Sequence, residues 1–273
     1  MSRVTDIIGK SVLTGGMLYM GAIMPRIFKR PAAMPKVYYA HRGLHDNESD
    51  APENTMAAFA KAVDHGYGIE LDVQLTKDDQ VVVCHDYNLK RICGVDRDID
   101  TMTYEELQQY TVYDSEETIP LFTEVLELVD GQVPLIVELK VKDIYSRIAE
   151  KADDILQSYA GVYCVESFHP AALIWYRRNR PDVCRGQLAT RNAVKESEKM
   201  SFVLRHLLLN FLTAPDFIAY DVNDKEAVSK NICRKIFGCP SVAWTIRSEE
   251  QLKEAEKYYD YFIFEGFLPE KDS

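Results

Sequence analysis

From residue 37 onward the chain alternates between two hydrophobic rhythms. Short runs rich in Val, Ile, Tyr and Phe read as strands: VYYAH (37–41), GIELDV (68–73), PLIVELK (134–140), GVYCVESF (161–168), CRGQLAT (184–190), FIAYDV (217–222), SVAWTI (241–246) and YFIFEG (261–266). Between them lie longer runs with helical periodicity, among them TMAAFAKAVDHG, FTEVLELVDG, SRIAEKADDILQSYAG, PAALIWYRRNRP and SEEQLKEAEKYYDY. Several end in Gly, which suits a helix C-terminus, or precede Pro, which stops a helix. Strands that alternate with helices predict a parallel sheet with crossover helices. Eight such units are the number that closes a (β/α)8 TIM barrel.

One strand-like run is excluded from that count. QVVVCHD (80–86) follows ELDVQL across the short turn TKDD. Parallel strands need a crossover of a dozen or more residues, whereas a tight turn pairs strands antiparallel. VVVC is therefore expected to fold back as a hairpin on ELDV, with a small insertion at about residues 74–118 before the barrel resumes. The barrel unit is read as residues 37–273, and residues 1–36 as a separate N-terminal apolar and basic segment. Within that segment SVLTGGMLYMGAIMP (11–25) carries no charge and is followed by PRIFKRP. It is short for a transmembrane helix, which needs about 20 predominantly apolar residues. It reads as a helix that packs on the domain or lies at a membrane interface, with peripheral contact through residues 11–30 and basic residues toward headgroups. A second apolar block, SFVLRHLLLNFLTAP (201–215), reads as a core-facing crossover helix or a lipid-facing flap near the site mouth.

Composition adds little to the fold but narrows the chemistry. Hydrophobic residues are 47% and charged residues 27%, as in ordinary globular proteins. A net charge of −11 argues against a nucleic-acid partner, because phosphate neutralisation needs a basic surface. A phosphorylated small molecule stays open, since a bound divalent cation reverses the local field. The six cysteines show no C-x-x-C pair and no zinc spacing, so they read as reduced thiols of a cytoplasmic protein, with Cys84, Cys164 and Cys184 as small buried hydrophobes.

In such a barrel the active site lies at the C-terminal ends of the strands. His41 and Arg42 end the first strand, Glu70 and Asp72 lie near the end of the second, and Glu138 and Lys140 end the third. Residues two apart on a strand share a face, so all of these can point at one mouth. Converging carboxylates repel one another unless a cation sits among them. Glu70, Asp72 and Glu138 are therefore candidate ligands of a hard divalent cation, Mg2+ or Ca2+, against ion pairing with barrel lysines and arginines. Arg42 and Lys140 are candidate phosphate-binding groups, or structural neutralisers of the carboxylates. His41 and His85 are candidate general base and general acid. In Pro52–Glu53–Asn54–Thr55, Asn54 or Thr55 can cap the next helix, and Glu53 either accepts local backbone bonds, orients His41 or Arg42, or joins the metal.

HRG at 41–43, PENT at 52–55, ELDVQLTKD at 70–78, HD at 85–86 and ELK at 138–140 together resemble the glycerophosphodiester phosphodiesterases. The likeness continues through SF at 167–168 and WT at 244–245 and covers about residues 37–266. It implies a TIM barrel with a small insertion after the second-strand hairpin, and a metal-dependent hydrolysis of glycerophosphodiesters to sn-glycerol 3-phosphate and an alcohol. The family's ligands fall on Glu70, Asp72 and Glu138, its acid and base on His41 and His85, and its phosphate-binding residues on Arg42 and Lys140. The PENT glutamate is Glu53, and Phe168 and Trp244 match aromatic positions beside the substrate. The family's last strand usually ends in Asp, where this chain has Glu265. Two alternatives are a lysophospholipase D-like hydrolase of lipid diesters and an inert barrel that binds phospholipid headgroups.

Overall fold

The computed structural model describes residues 14–32, 34–142, 146–191 and 198–270, without the side chains of 198–201. The strands are β1 (Tyr38–His41), β2 (Gly68–Leu75), β3 (Val81–Val83), β4 (Leu135–Leu139), β5 (Tyr163–Ser167), β6 (Arg185–Ala189), β7 (Phe217–Asp221), β8 (Ser241–Ile246) and β9 (Tyr261–Phe264). All except β3 run parallel in chain order, and β1 pairs with both β2 and β9, so eight strands close into a barrel. The eight-stranded parallel barrel expected from the pattern is the fold observed. β3 pairs antiparallel with β2, Val73 opposite Val83, as the TKDD turn predicts.

Closure explains why β2 reads as apolar and acidic at once. Ile69, Leu71 and Val73 face outward into a core shared with Phe59, Ala62, Phe122, Val125 and Ile148 of the surrounding helices. The alternate residues Glu70 and Asp72 then face the barrel interior. The lower interior is apolar, filled by Tyr39, Ile136, Cys164, Phe217, Val242 and Tyr261. At Gly186 a β-carbon would lie 2.0 Å from the Phe217 ring, so the absence of a side chain there is what admits the ring.

After β3 the chain makes a small excursion with its own core, including Leu89, Ile92, Ile99, Met102 and Leu107. It returns to the barrel at the helix Phe122–Val129.

Residues 14–22 are helical, and residues 11–13 of the predicted apolar helix lie outside the described residues. From Ile23 the chain runs as a strap across the N-terminal end of the barrel. The Ile23 carbonyl accepts from Asn210 Nδ2 at 2.9 Å, and Arg26 donates to the Pro181 carbonyl at 2.7 Å and pairs with Asp216 at 3.4 Å. Arg30 donates to the Gly238 and Phe237 carbonyls at 2.6 and 3.1 Å. Tyr39 and Tyr261 donate from inside the barrel to the Pro35 and Met34 carbonyls. Two of the basic side chains expected to face headgroups, Arg26 and Arg30, are thus spent on the barrel. The 201–215 block divides its residues: Leu204 and Leu207 are buried, while Phe202, Phe211 and Leu212 are exposed. No helix among the described residues is long and apolar enough to cross a membrane. All six cysteines are free, four of them buried and Cys93 and Cys184 half-buried.

Gly186→Ala forces its methyl group into the Phe217 ring. Overpacking a barrel interior in this way is expected to cost about 1–3 kcal/mol, read as a lower urea midpoint with an unchanged slope.

Candidate active site

The upper interior gathers the polar residues. Asp72 pairs in register with Glu138 across β2 and β4, and His41 with Glu70 across β1 and β2. One carboxylate oxygen each from Glu70, Asp72 and Glu138 lies within 4.8 Å of the others, and all three residues are buried. Burial and the surrounding carboxylates hold Glu70 well above the usual carboxylate range. Burial likewise raises Glu138, although Lys140 pulls against it. Burial would also raise Asp72, but Lys140, His85, Arg42 and the amide of Asn54 outweigh it and hold Asp72 well below that range. The cluster is thus oxygen-only, converging and short of positive charge, a donor set that fits a hard divalent cation.

Lys140 stands between two of these ligands, its Nζ 2.9 Å from Asp72 Oδ1 and 2.8 Å from Glu138 Oε1. Arg42 reaches Asp72 Oδ2 at 3.5 Å through Nε and pairs with Glu53 through Nη1. Both basic residues sit at the mouth, and both are engaged with carboxylates. Arg42 adopts a left-handed backbone with φ 56°, unusual for a residue with a long side chain. The site itself holds that conformation: Arg42 N donates to Glu70 Oε2 at 3.1 Å, and its carbonyl accepts from Asn54 N at 2.9 Å. Gly43 follows at φ 82°, where a β-carbon would strike Ala58 at 2.9 Å. The HRG turn is therefore folded tightly onto the helix Met56–Asp64, whose N-cap is Thr55. Asn54, the other candidate cap, instead donates to Asp72 Oδ2 at 2.9 Å.

Glu53 is buried and holds Arg42, Arg91 and the Tyr113 hydroxyl, the last at 2.9 Å. Of the roles considered for it, the geometry matches the orienting partner of Arg42. Burial alone would raise its carboxyl, but these arginines hold it low.

The two imidazoles flank the carboxylates. His41 Nδ1 bonds to Glu265 Oε2, while Nε2 faces Glu70 Oε2 at 3.9 Å. Burial, with the Arg42 guanidinium alongside, pushes His41 down to about 4, against the pull of Glu265. Glu265 would be raised by burial, yet the His41 bond and the charges of His41 and Arg247 hold it at about 2. His85 Nδ1 bonds to Asp86 Oδ1 at 2.7 Å, and Arg91 Nε holds Asp86 Oδ2 at 2.7 Å. A cavity of about 320 Å³ opens beside the cluster, lined by His85, Tyr87, Glu138, Lys140, Phe168 and His169. Phe168 and Trp244 meet edge-to-face with centroids 5.6 Å apart, and the Trp244 Nε1 donor has no partner among the described residues. His169 also caps the helix Pro170–Asn179, its side chain accepting from Ala171 N.

The residues singled out from sequence therefore come together at one barrel end. Several partners were not foreseen. Asp86 follows His85 directly, and Glu265 was noted only as a departure. Arg91 and Tyr113 come from the insertion, where local pattern carries no hint of what they contact.

A closed parallel barrel with acidic, imidazole and basic side chains gathered at the C-terminal ends of its strands is a TIM barrel with its polar cluster where such barrels carry their active sites. The model of the glycerophosphoryl diester phosphodiesterase family matches residues 41–260, and the chain belongs to that family. It is 36% identical over 162 residues to a glycerophosphodiester phosphodiesterase of Bacillus altitudinis, an alignment spanning 55% of this chain and 64% of that protein. It is 35% identical over 135 residues to the human lysophospholipase D GDPD1, covering 45% of this chain and 41% of that one. Among solved structures, a phosphodiesterase of Oleispira antarctica in complex with its product sn-glycerol-3-phosphate superposes with a TM-score of 0.68, covering 85% of this chain and 93% of that chain at 24% identity. The glycerophosphodiester phosphodiesterase of Thermotoga maritima gives 0.65, with 85% and 96% covered at 24% identity. At these identities the structural likeness establishes the fold.

Glu265 pulls the His41 titration upward, so removing its charge lowers it. Glu265→Gln is expected to move the His41 midpoint below its value near 4 in an NMR titration of the ring protons. An upward movement contradicts the assigned contact.

Proposed function

We propose that the chain hydrolyses glycerophosphodiesters to sn-glycerol 3-phosphate and an alcohol. In this reading Glu70, Asp72 and Glu138 hold a divalent cation, and His41 and His85 act as base and acid. The observation that carries it is the meeting of these carboxylates, two oriented imidazoles and two basic side chains at one barrel mouth. A cation bound there supplies positive charge to the nonbridging oxygens of the phosphodiester.

This chain's own groups divide the remaining work. Glu265 accepts a hydrogen bond from the Nδ1–H of His41, leaving the Nε2 lone pair free, and burial keeps the ring neutral. His41 is thus suited to accept a proton from the attacking hydroxyl, of water or of the neighbouring glycerol. His85, oriented by Asp86 and lining the cavity, is suited to protonate the leaving alkoxide. Arg42 keeps donors beyond those given to Glu53 and Asp72 and aims its remaining charge at the phosphate. Lys140, which bridges Asp72 and Glu138, would share those carboxylates with a bound cation, and its charge suits the phosphate. Glu53 acts through Arg42, holding the guanidinium for the substrate. Phe168 and the free Trp244 donor suit the glycerol end. The catalytic unit in this reading is the barrel of residues 37–273, preceded by the N-terminal apolar and basic segment of residues 1–36.

Release of glycerol 3-phosphate from glycerophosphocholine is the direct test. EDTA is expected to abolish it and Mg2+ or Ca2+ to restore it, whereas cation-independent binding without turnover marks an inert headgroup binder. His41→Ala and His85→Ala are each expected to lower kcat by about 10²–10⁴-fold with the fold intact. Near-normal turnover in either variant removes the two-histidine scheme.

One observation bears on lipids. Phe28 is 78% and Leu18 71% exposed, with Met17, Ile27, Phe211 and Leu212 also exposed. We propose that these residues make peripheral contact with a membrane. Phe28 belongs to the strap at the N-terminal end of the barrel, so a bilayer held there leaves the catalytic mouth toward water. That geometry favours water-soluble diesters over embedded lysophospholipids. Wild type is expected to sediment with anionic vesicles, and Leu18→Ser/Phe28→Ser to remain in solution. Faster turnover of lysophosphatidylcholine than of glycerophosphocholine overturns the orientation.

A further inference from the structure

Two cysteines meet at the base of the barrel interior, at the end opposite the polar mouth. Val165 pairs with Arg185 across β5 and β6, and Val165 N donates to the Cys184 carbonyl at 3.0 Å. One step back along that register sets Cys164 beside Cys184. Both side chains pack into the lower interior with Tyr39, Phe217 and Tyr261, so they share a face of the sheet. Adjacent strands lie about 4.7–4.9 Å apart, within the roughly 4.4–6.8 Å of Cα separation that a disulfide spans. Three of the other thiols are committed to backbone carbonyls: Cys84 Sγ donates to Asp86 at 3.6 Å, Cys233 Sγ to Ile23 at 3.3 Å and Cys239 Sγ to Asp216 at 3.5 Å.

The pair can also be reached. A cavity of about 270 Å³ at the base is lined by Cys164 and Cys184 together with Pro31, Met34 and Pro35 of the strap and Tyr163 of β5. Cys164 is 2% exposed, whereas Cys184 is half-buried, so Cys184 is the side chain that solvent meets first. Burial, and next the adjacent Cys184 thiol, raise Cys164 well above the usual thiol range, which makes it the slower of the two to react.

We propose that Cys164 and Cys184 are a modification site, a dithiol that a small-molecule disulfide converts reversibly to a cross-strand disulfide. Cys184, as thiolate, attacks one sulfur of the small disulfide; that S–S bond breaks, a mixed disulfide forms, and the first small thiol leaves with the Cys184 proton. Cys164 then attacks the Cys184 sulfur, the mixed disulfide breaks, and the second small thiol leaves with the Cys164 proton. The two protein thiols are oxidised, and the small disulfide is reduced to two thiols. The product ties β5 to β6 beneath the strap. It involves none of the groups at the mouth and stands apart from the hydrolytic reading.

The test is incubation of the native full chain with cystamine, then alkylation of the remaining thiols, unfolding, and peptide mapping without reductant. The main cross-link is expected to join the Cys164 and Cys184 peptides, two hydrogens lighter than their reduced sum, and dithiothreitol is expected to remove it. Phenylarsine oxide, which bridges neighbouring thiols with loss of water, is expected to bind one per chain and to block the cross-link. Cys184→Ser is expected to lose both the cross-link and the arsenical. Cys164→Ala is expected to stop at a mixed disulfide on Cys184, because the second thiol is gone. Where a variant fails to fold, the wild-type map decides alone. No cross-link in wild type, a link between another pair in its place, a mixed disulfide on Cys184 that persists in wild type, or no arsenical uptake overturns the proposal.

Discussion

The structure depends on keeping several acids inside a closed barrel. Glu70, Asp72, Glu138 and Glu166 are all buried there. Two cations make this tolerable. Lys140 bridges Asp72 and Glu138, and Arg42 leans on Asp72 while its own backbone amide serves Glu70. The compensation is uneven. Asp72 is stabilised as an anion, whereas Glu70 and Glu138 are not, an imbalance that the proposed cation would relieve. Structural strain and chemical purpose thus occupy the same few residues, a common arrangement at functional sites.

Much of this was legible in the sequence because closure of a barrel imposes a simple alternation. GIELDVQL places apolar residues on one parity and acids on the other, so the direction of Glu70 and Asp72 follows once the strand is recognised. The hairpin of VVVC was readable from turn length alone. What local pattern does not carry is contact between distant segments. Glu53 had several readings, as a local backbone acceptor, an orienting partner or a metal-side carboxylate, and its contacts are set by Arg42 and by Arg91 and Tyr113, roughly forty and sixty positions downstream. The cap itself went to Thr55, freeing Asn54 for Asp72, a division that depends on how the HRG turn folds over Ala58.

The insertion illustrates how a peripheral unit can belong to the centre. It has its own small core, yet Arg91 reaches back to both Glu53 and Asp86. Through those two carboxylates it touches the supports of Arg42 and of His85 at once. The two sides of the mouth are thereby braced by one guanidinium, and the orientations of Arg42 and His85 are linked.

The strap formed by residues 23–32 and 34–35 has a consequence for anyone who shortens this protein. The family match starts at His41, and a cut placed there looks harmless in an alignment. It would remove Tyr38, Tyr39 and Ala40 of β1 along with the strap, opening the barrel between β2 and β9 and baring the Tyr261 hydroxyl and the apolar plug around it. It would also leave Asp216 without Arg26. A truncated barrel of this kind has a greasy, half-charged base, and its natural fate in solution is to find another copy of itself.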